Sequence, residues 1–418
     1  MAERPPLLSL DEAQQRLVEG ARAQAIRDTE ELSTFDALNR VLAQDLVSPL
    51  DVPPADNSSM DGYAVRAADV KPGEAMPVSQ RIPAGHVGQA LQPGTAARIF
   101  TGAQMPPGAD AVVMQEDATA GEGTVAFNAA PASGQWVRPR GEDVRTGAVV
   151  LPRGSRLTPQ ALGLAATVGA ARLTVLRRPR VALLSTGDEL VMPGEVAPQD
   201  LPPGAIYNSN RFTLRGLLQA VGCEVSDFGI VPDKLDATRE TVRRAAEGHD
   251  LIITTGGVSV GEEDHVKPAV QSLGRLHMWS IGTKPGKPLA FGAVAREGEG
   301  AGEALFLGLP GNPVSTYITF FLAVRSVLCA LQGLPTEFPR GFELRAGFDL
   351  PKPDRFRREF MRVRLGADGA LELFPNQSSG VLTSAVWADG LVDNPPGNAI
   401  RRGDLVRYLP LSQLLSSC

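Results

Sequence analysis

The sequence predicts a multidomain α/β plus β protein, and three observations carry that prediction. Beyond Arg178-Pro179, short apolar runs alternate with helix-length stripes, as strands and crossover helices of a parallel sheet do. Residues 66–150 lose helical periodicity, and Pro-Gly pairs cut them into short runs. From Pro335 onward helix signals vanish again and alternating runs take over. At 418 residues and 44.2 kDa the chain exceeds one ordinary core, so two to four domains are expected.

In chain order, Ser9–Ala25 places Ala13, Leu17 and Ala21 on one face behind a Ser9–Glu12 capping box, which predicts an amphipathic helix. DALNRVLAQDL, within 31–47, predicts a short helix or turn leading into a strand. DVPPADNSSMDGYAV (51–65) is proline-rich, polar and irregular. In the β insert, Ala97–Phe100 and Ala111–Met114 are strand-length runs, and Thr101-Gly102 ends one on a small polar pair. Residues 158–169 predict a small-residue helix with a Thr158 cap and Pro159 at its first position.

After the boundary, Val181–Leu184 is a buried strand. Phe212, Leu217, Leu218 and Val221 form a helical stripe ending at Gly222. Val225–Val231 is the next strand, and 236–247 a helix capped by Asp236. The run Ile252, Ile253, Thr254, Thr255 breaks on Gly256-Gly257. A hairpin over 277–294 carries KPGKP (284–288) at one end. Ala304–Leu307 is a strand, followed by a helix that Asn312 caps and Pro313 starts, running to about Leu331. Its apolar part, Tyr317–Leu331, is interrupted by Arg325 and reads as buried rather than membrane-spanning. The C-terminal runs Phe360, Arg362, Arg364 and Leu371–Phe374 predict a small β-barrel or sandwich. The division that follows has four parts. A three-layer, parallel-sheet α/β domain takes 1–26 with 179–332, and a small helical and strand linking domain takes 27–53 with 142–178. An inserted all-β domain takes 54–141, and a C-terminal β-barrel-like domain takes 333–418.

Net charge of −6 and the lack of a long basic run argue against a general nucleic-acid binder. No N-terminal stretch has the basic-then-apolar pattern of a signal peptide, so a cytoplasmic location away from the membrane is expected. Cys223, Cys329 and Cys418 form no CxxC knuckle, and His86, His249, His265 and His277 lack metal-ligand spacing. GxxxxGK[ST] and GxGxxG are absent, which removes support for ordinary NTPase and dinucleotide folds.

What remains is a set of polar motifs at predicted strand ends. STGDEL supplies Thr186, Asp188 and Glu189, and IVPDK supplies Asp233. TTGGVSVGEED supplies the Gly-Gly turn, Ser259 and Asp264, and LPGNPVS supplies amides and Ser315. Strand ends of one parallel sheet converge on one edge, where ligands bind. Carboxylates facing a glycine-rich loop suit Mg²⁺ bridging phosphates. Taken singly, each Asp reads as a helix cap or a solvated loop charge; taken together, the set favours function. KPGKP puts Lys284 and Lys287 on a turn as an oxyanion clamp, or as an ordinary solvated turn. Arg357, Arg358 and Arg362 form a basic cluster that serves an anion or keeps a strand soluble.

The motifs DNSSMDGYA (56–64), FTGAQMPPGADAVV (100–113), RGEDV (140–144), STGDEL (185–190), TTGGVSVGEEDHVK (254–267), KPGKPLAFG (284–292) and LPGNPVS (309–315) stand in the order found in the molybdopterin molybdenumtransferase family, with gephyrin E domains as eukaryotic relatives. The C-terminal part resembles that family only in RREFMR (357–362) and QSSG (377–380). His265 stands where the family more often has an aromatic. The resemblance implies insertion of molybdenum from molybdate into adenylated molybdopterin, with release of AMP and Mg²⁺ as the metal. It implies catalytic roles for Asp61, Glu189, Asp233 and Asp264, with Glu189, Asp233 and Asp264 on the metal. Substrate would lie on Thr101, Asp143, Thr255, Gly256, Gly257, Ser259, Pro310 and Pro313, and molybdate on Lys284, Lys287, Pro288, Ser315, Arg357 and Ser379. It further implies a homodimer with Asp61, Thr101 and Asp143 at a shared site, and partner proteins of molybdenum cofactor biosynthesis. A molybdopterin adenylyltransferase, which shares the TTGG turn, and a non-catalytic scaffold are the alternatives.

Overall fold

The structure is a computed structural model of the chain, describing residues 7–257, 265–298 and 302–416. It divides into two compact units, Met1–Glu30 with Asn39–Val41 and Val175–Cys418, and Glu31–Leu38 with Leu42–Thr174. Helix α1 (Leu10–Arg22) opens the larger unit. Its capping box forms as the sequence predicts: Ser9 Oγ accepts from the Glu12 N–H, and the Glu12 carboxylate accepts from the Ser9 N–H. Leu10, Ala13, Leu17, Val18 and Ala21 form its buried face.

The smaller unit is built on a six-stranded sheet. Its strands are β1 (Gly62–Val65), β2 (Ala75–Ile82), β3 (Ala96–Ile99), β4 (Ala111–Met114), β5 (Ala118–Ala120) and β6 (Thr124–Phe127), in the order β4-β1-β3-β2-β6-β5. The all-β expectation holds, but β1 lies inside the stretch expected to be irregular. All four of its residues are buried, and it pairs with β3 on one side and β4 on the other. Proline and polar neighbours hide such a short strand in the sequence. Gly62 is needed there, because a Cβ would stand 2.0 Å from the Val113 carbonyl oxygen. Helix α2 (Pro159–Thr167) starts as predicted, with Thr158 Oγ1 accepting from the Ala161 N–H. The helix option for DALNRVLAQDL fails. Asn39 takes a positive φ of 62°, which turns the chain instead.

The larger unit holds a second six-stranded sheet. It is made of β7 (Arg180–Thr186), β8 (Glu224–Val231), β9 (Leu251–Thr255), β10 (Gly274–Ser280), β11 (Pro288–Ala295) and β12 (Glu303–Leu309), in the order β8-β7-β9-β12-β11-β10. The first four in that order run parallel, while β11 and β10 form an antiparallel hairpin at one edge. Helices α3 (Ser209–Ala220), α4 (Leu235–Ala246), α5 (Val266–Leu273) and α6 (Pro313–Leu331) cover it. Alternate strand residues point to opposite faces. Val181, Leu183, Leu251 and Ile253 pack with α1, α3 and α6, whereas Ala182, Leu184 and Ile252 pack with α4 and α5. That makes three layers.

Local details differ from expectation. The buried stripe of α3 is Leu214, Leu218 and Val221, while Phe212 is 56% exposed. Asp236 lies within the first turn of α4, whose cap position is Lys234. Asn312 holds the cap position of α6 but makes no side-chain bond to it. Helix α6 is 19 residues, long and apolar enough to cross a membrane by length and composition, yet it is 94% buried in the protein core. A π turn at Phe320–Val324 interrupts it.

The C-terminal part forms the third sheet, with strands β13 (Phe342–Arg345), β14 (Arg358–Leu365), β15 (Leu371–Leu373), β16 (Gly390–Asn394) and β17 (Leu405–Pro410). Two short helices, α7 (Thr383–Trp387) and α8 (Leu411–Ser416), were invisible to the sequence reading. A bridge between Ala346 and Leu371 links the end of β13 to β15 and so joins the two margins of the sheet. Met361, Val363, Val392 and Tyr408 fill its own core, whereas Phe360, Leu391 and Leu409 join the cluster around α6. Thr283-Lys284, from the loop between β10 and β11, pairs in parallel with Arg358-Glu359 of β14.

Candidate functional site

Sheet register brings the polar strand ends level. Ser185 of β7 is opposite Thr255, Thr255 is opposite Leu309, and Thr186 is opposite Val231. Each strand then breaks into one of the polar motifs. The Gly256-Gly257 turn has φ values of +84° and +64°. A Cβ at Gly256 would lie 2.6 Å from the Thr186 carbonyl oxygen, and one at Gly257 would lie 2.4 Å from Val266 Cγ2. No other residue fits either place without rearrangement.

One cleft, of about 620 Å³, runs from this turn to the KPGKP loop, the start of α6 and the QSSG loop. It is lined by Gly256, Gly257, Lys284, Lys287, Pro288, Pro310, Ser315, Arg357 and Ser379 among others, so the structure brings together every residue expected to bind molybdate. The loop is fixed from two sides. Thr283 Oγ1 donates to the Gly286 carbonyl at 2.8 Å, and a Cβ on Gly286 would meet Thr319 Oγ1 of α6 at 2.7 Å. The Val314 N–H in the first turn of α6 donates to the Ser379 carbonyl at 2.9 Å, tying the QSSG loop to the helix.

The cations are already partly matched by carboxylates that the sequence reading overlooked. Lys284 Nζ donates to Glu359 Oε1 at 2.9 Å, and Glu359 Oε2 accepts from the Asp354 N–H at 3.0 Å. Glu359 is 5% exposed. Arg357 Nε donates to Asp354 Oδ2 at 2.8 Å. Burial opposes charge on Asp354, but hydrogen bonds from the Arg357 side chain and the Phe356 and Arg357 amides hold its carboxyl below the usual range. Among the described residues, Lys287 has no carboxylate partner, so it is the uncompensated cation of the cleft. The rest of the predicted basic cluster does other work. Arg358 pairs with Asp393 at 2.6 and 2.7 Å. Arg362 is buried, and it donates to Ser384 Oγ and the Ser378 carbonyl; burial pushes its pKa down to about 10. It braces the loop that carries Ser379 rather than facing an anion.

A second cleft of about 540 Å³ opens on the other side of Gly256, Gly311 and Asn312, which line both. Its wall includes Glu189, Thr255, Tyr207, Asn208, Asn210 and Pro313. Close by, Asp188 and Asp233 are bonded reciprocally: each carboxylate accepts the other's backbone N–H, at 3.2 and 3.3 Å. Burial raises the Asp233 pKa, and the charges of Asp188 and Glu189 raise it further. That is the behaviour of carboxylates crowded where a cation would relieve them. Among the described residues no group of three or more His, Cys, Asp or Glu is placed to hold a metal. Ser259 and Asp264 lie outside the described residues.

In the smaller unit, Asp61 Oδ1 accepts from both the N–H and the hydroxyl of Thr101 at 2.8 Å. The amide bond first, then the hydroxyl, holds the Asp61 carboxyl below its ordinary value. Asp143 is exposed, with its N–H donated to the Val52 carbonyl. The structure therefore joins Asp61 to Thr101 but shows no bond between that pair and Asp143.

Three family models match the chain. The MoeA N-terminal region (domain I and II) covers residues 8–169, a "probable molybdopterin binding domain" covers 182–329, and the MoeA C-terminal region (domain IV) covers 343–411. A molybdopterin molybdenumtransferase of Haemophilus influenzae is 43% identical, covering 98% of this chain and 100% of its own length. One from Nostoc is 41% identical over 92% of this chain and 90% of its own. The crystal structure of the molybdopterin biosynthesis MoeA protein of Pyrococcus horikoshii superposes with a TM-score of 0.82 at 28% identity, covering 97% of this chain and 100% of that one.

Proposed function

The chain belongs to the molybdopterin molybdenumtransferase family, and on that premise we propose how its residues divide the work. It is a transferase of molybdenum cofactor biosynthesis that inserts molybdenum into molybdopterin. In our reading molybdate, the substrate, sits in the basic cleft, with its oxygens on Lys284, Lys287, Arg357, Ser315 and Ser379. Adenylated molybdopterin lies across the Gly256-Gly257 saddle into the second cleft, against Thr255, Pro310 and Pro313. Cleavage of the pyrophosphate bond releases AMP. The observation that carries this is the shared lining of the two clefts: cations stand on one side of Gly256, Gly311 and Asn312, and Glu189 on the other.

Glu189 and Asp233, with Asp264, would hold Mg²⁺, and the raised Asp233 pKa fits such a role. When bound, the ion would polarise phosphate oxygens. Ser259 would contribute to the phosphate cradle. We further propose a homodimer in which Asp61, Thr101 and Asp143 serve a shared site, a cytoplasmic location, cofactor-receiving partner proteins, and the four-domain division given above. A species that stays monomeric at all concentrations in sedimentation would overturn the dimer.

The deciding assay is molybdate-dependent release of AMP from adenylated molybdopterin with Mg²⁺ present. We expect release that rises with molybdate and falls when Lys287 is replaced by Ala; no AMP above background would refute the assignment. A stand-alone adenylyltransferase is disfavoured by the matched N- and C-terminal regions. A pure scaffold would not need the Lys284, Lys287 and Glu189 positions intact.

A further inference from the structure

Helix α6 brings Ser315 to the basic cleft, and its course is tied to the other end of the chain. Where α6 begins, its ladder is regular: the Phe320 N–H donates to the Thr316 carbonyl, four residues back. At Arg325 the ladder slips, and that N–H donates to the Phe320 carbonyl, five residues back. The π turn so formed, Phe320–Val324, takes in one extra residue. It therefore rotates the preceding turns by about 100° relative to an unbroken helix. Ser315 and Thr319, four apart, share one side of the rotated part. That side meets the lysine loop, because a Cβ on Gly286 would stand 2.7 Å from Thr319 Oγ1 and 4.0 Å from Ser315 Cβ.

Inside the π turn, the Leu322 carbonyl accepts from Gln14 Nε2 of α1 at 2.9 Å, across 308 positions of sequence. A cavity of only about 10 Å³, bordered by Gln14, Leu17, Gly286, Thr319 and Leu322, separates α1, the lysine loop and α6. That is room for one water at most. The chain leading into α1 also holds the foot of the loop. The Leu8 N–H donates to the Ser280 carbonyl at 2.9 Å, and the Gly282 N–H donates to the Leu8 carbonyl at 2.8 Å. A π turn needs an outside donor that a regular helix does not, and losing that donor favours the straight ladder. We propose that Gln14 is a positioning residue for the basic cleft. Its bond to Leu322 holds the π turn, and the π turn keeps Ser315 and the Thr319–Gly286 contact facing the anion. The proposal rests on the molybdate reading above and names a residue that sets the geometry of that site.

The test uses the full-length protein, with molybdate and AMP titrated calorimetrically and molybdate varied in the AMP-release assay. Gln14→Leu keeps the volume and removes the donor; Gln14→Glu keeps the length and, ionised at neutral pH, can only accept. Either variant alone decides the matter. Ser9→Ala is the control, since it weakens the cap of α1 and leaves Gln14 in place. Both Gln14 variants are expected to raise the Kd and KM for molybdate about tenfold, with kcat at saturating molybdate and the Kd of AMP unchanged. Ser9→Ala should bind molybdate like the parent. Unchanged molybdate affinity in the Gln14 variants overturns the inference, and so does an equal loss in Ser9→Ala or an equal loss for AMP. A parent protein that neither binds molybdate nor releases AMP removes the transferase reading itself. A parent that does both, matched by its Gln14 variants, removes only the role of Gln14.

Discussion

Lys284 and Lys287 stand three positions apart on one loop, yet they are not equivalent. Lys284 meets Glu359 at 2.9 Å, and Glu359 is buried. Removing the lysine leaves that carboxylate short of a partner, so Lys284→Ala is expected to lose about 1–3 kcal/mol of stability, read from the denaturant midpoint. Glu359→Gln in the same background should recover part of it, whereas Lys287→Ala should leave stability nearly unchanged. Asp233 yields a pH prediction. Its folded pKa is raised, so the folded state holds the proton more tightly than the unfolded chain does. The stabilisation is full below the unfolded carboxylate value of 3.8 and is lost as pH rises through the higher folded value. Asp233→Asn should therefore be more stable than the parent at neutral pH without Mg²⁺, and should gain less when Mg²⁺ is added. Equal responses to Mg²⁺ would remove Asp233 from the proposed metal site. From sequence the lysines were legible as a pair because they share a short motif. Their carboxylate partners were not, because Glu359 is 75 residues away and only strand pairing brings it near.

At the scale of elements, legibility followed local signals. The capping box on α1, the Thr158-Pro159 start of α2 and the β-branched run of β9 each carry their own instruction, and each formed. Ser9→Ala should cost about 1 kcal/mol in denaturant unfolding, since it removes the oxygen that receives the Glu12 N–H. Where an element depends on distant neighbours, the reading failed. Strand β1 is four residues long and exists because β3 and β4 flank it. Spacing places Phe212 on the buried stripe, but α3 turns Leu214 inward with Leu218 and leaves Phe212 exposed. The basic run 357–362 split three ways, to Asp354, to Asp393 and to a buried brace, which charge alone could not foretell.

For the molecule as a whole, the alternation of strands and helices was enough to locate the three-layer sheet. Among the described residues, both clefts are lined by the larger unit alone. Calorimetry should then resolve separate responses: molybdate or AMP at about 100 times Kd adds about 2.7 kcal/mol to the larger unit's transition. The transition of an isolated 31–174 fragment, which carries the smaller unit, should not move with either ligand. A ligand-induced shift in that fragment would relocate the binding surface.

The strand pairing of Thr283-Lys284 with Arg358-Glu359 also sets an order in time. The Gly-Gly turn, the lysine loop and α6 leave the ribosome well before β14 and the QSSG loop. Until those last segments are made, the growing chain has the Gly-Gly turn without the strand that pairs with Lys284 or the segments that bring Arg357 and Ser379 to the cleft. On the proposed molybdate site, anion capture would wait for the finished polypeptide, and a chain ending after Leu331 is expected to bind no molybdate.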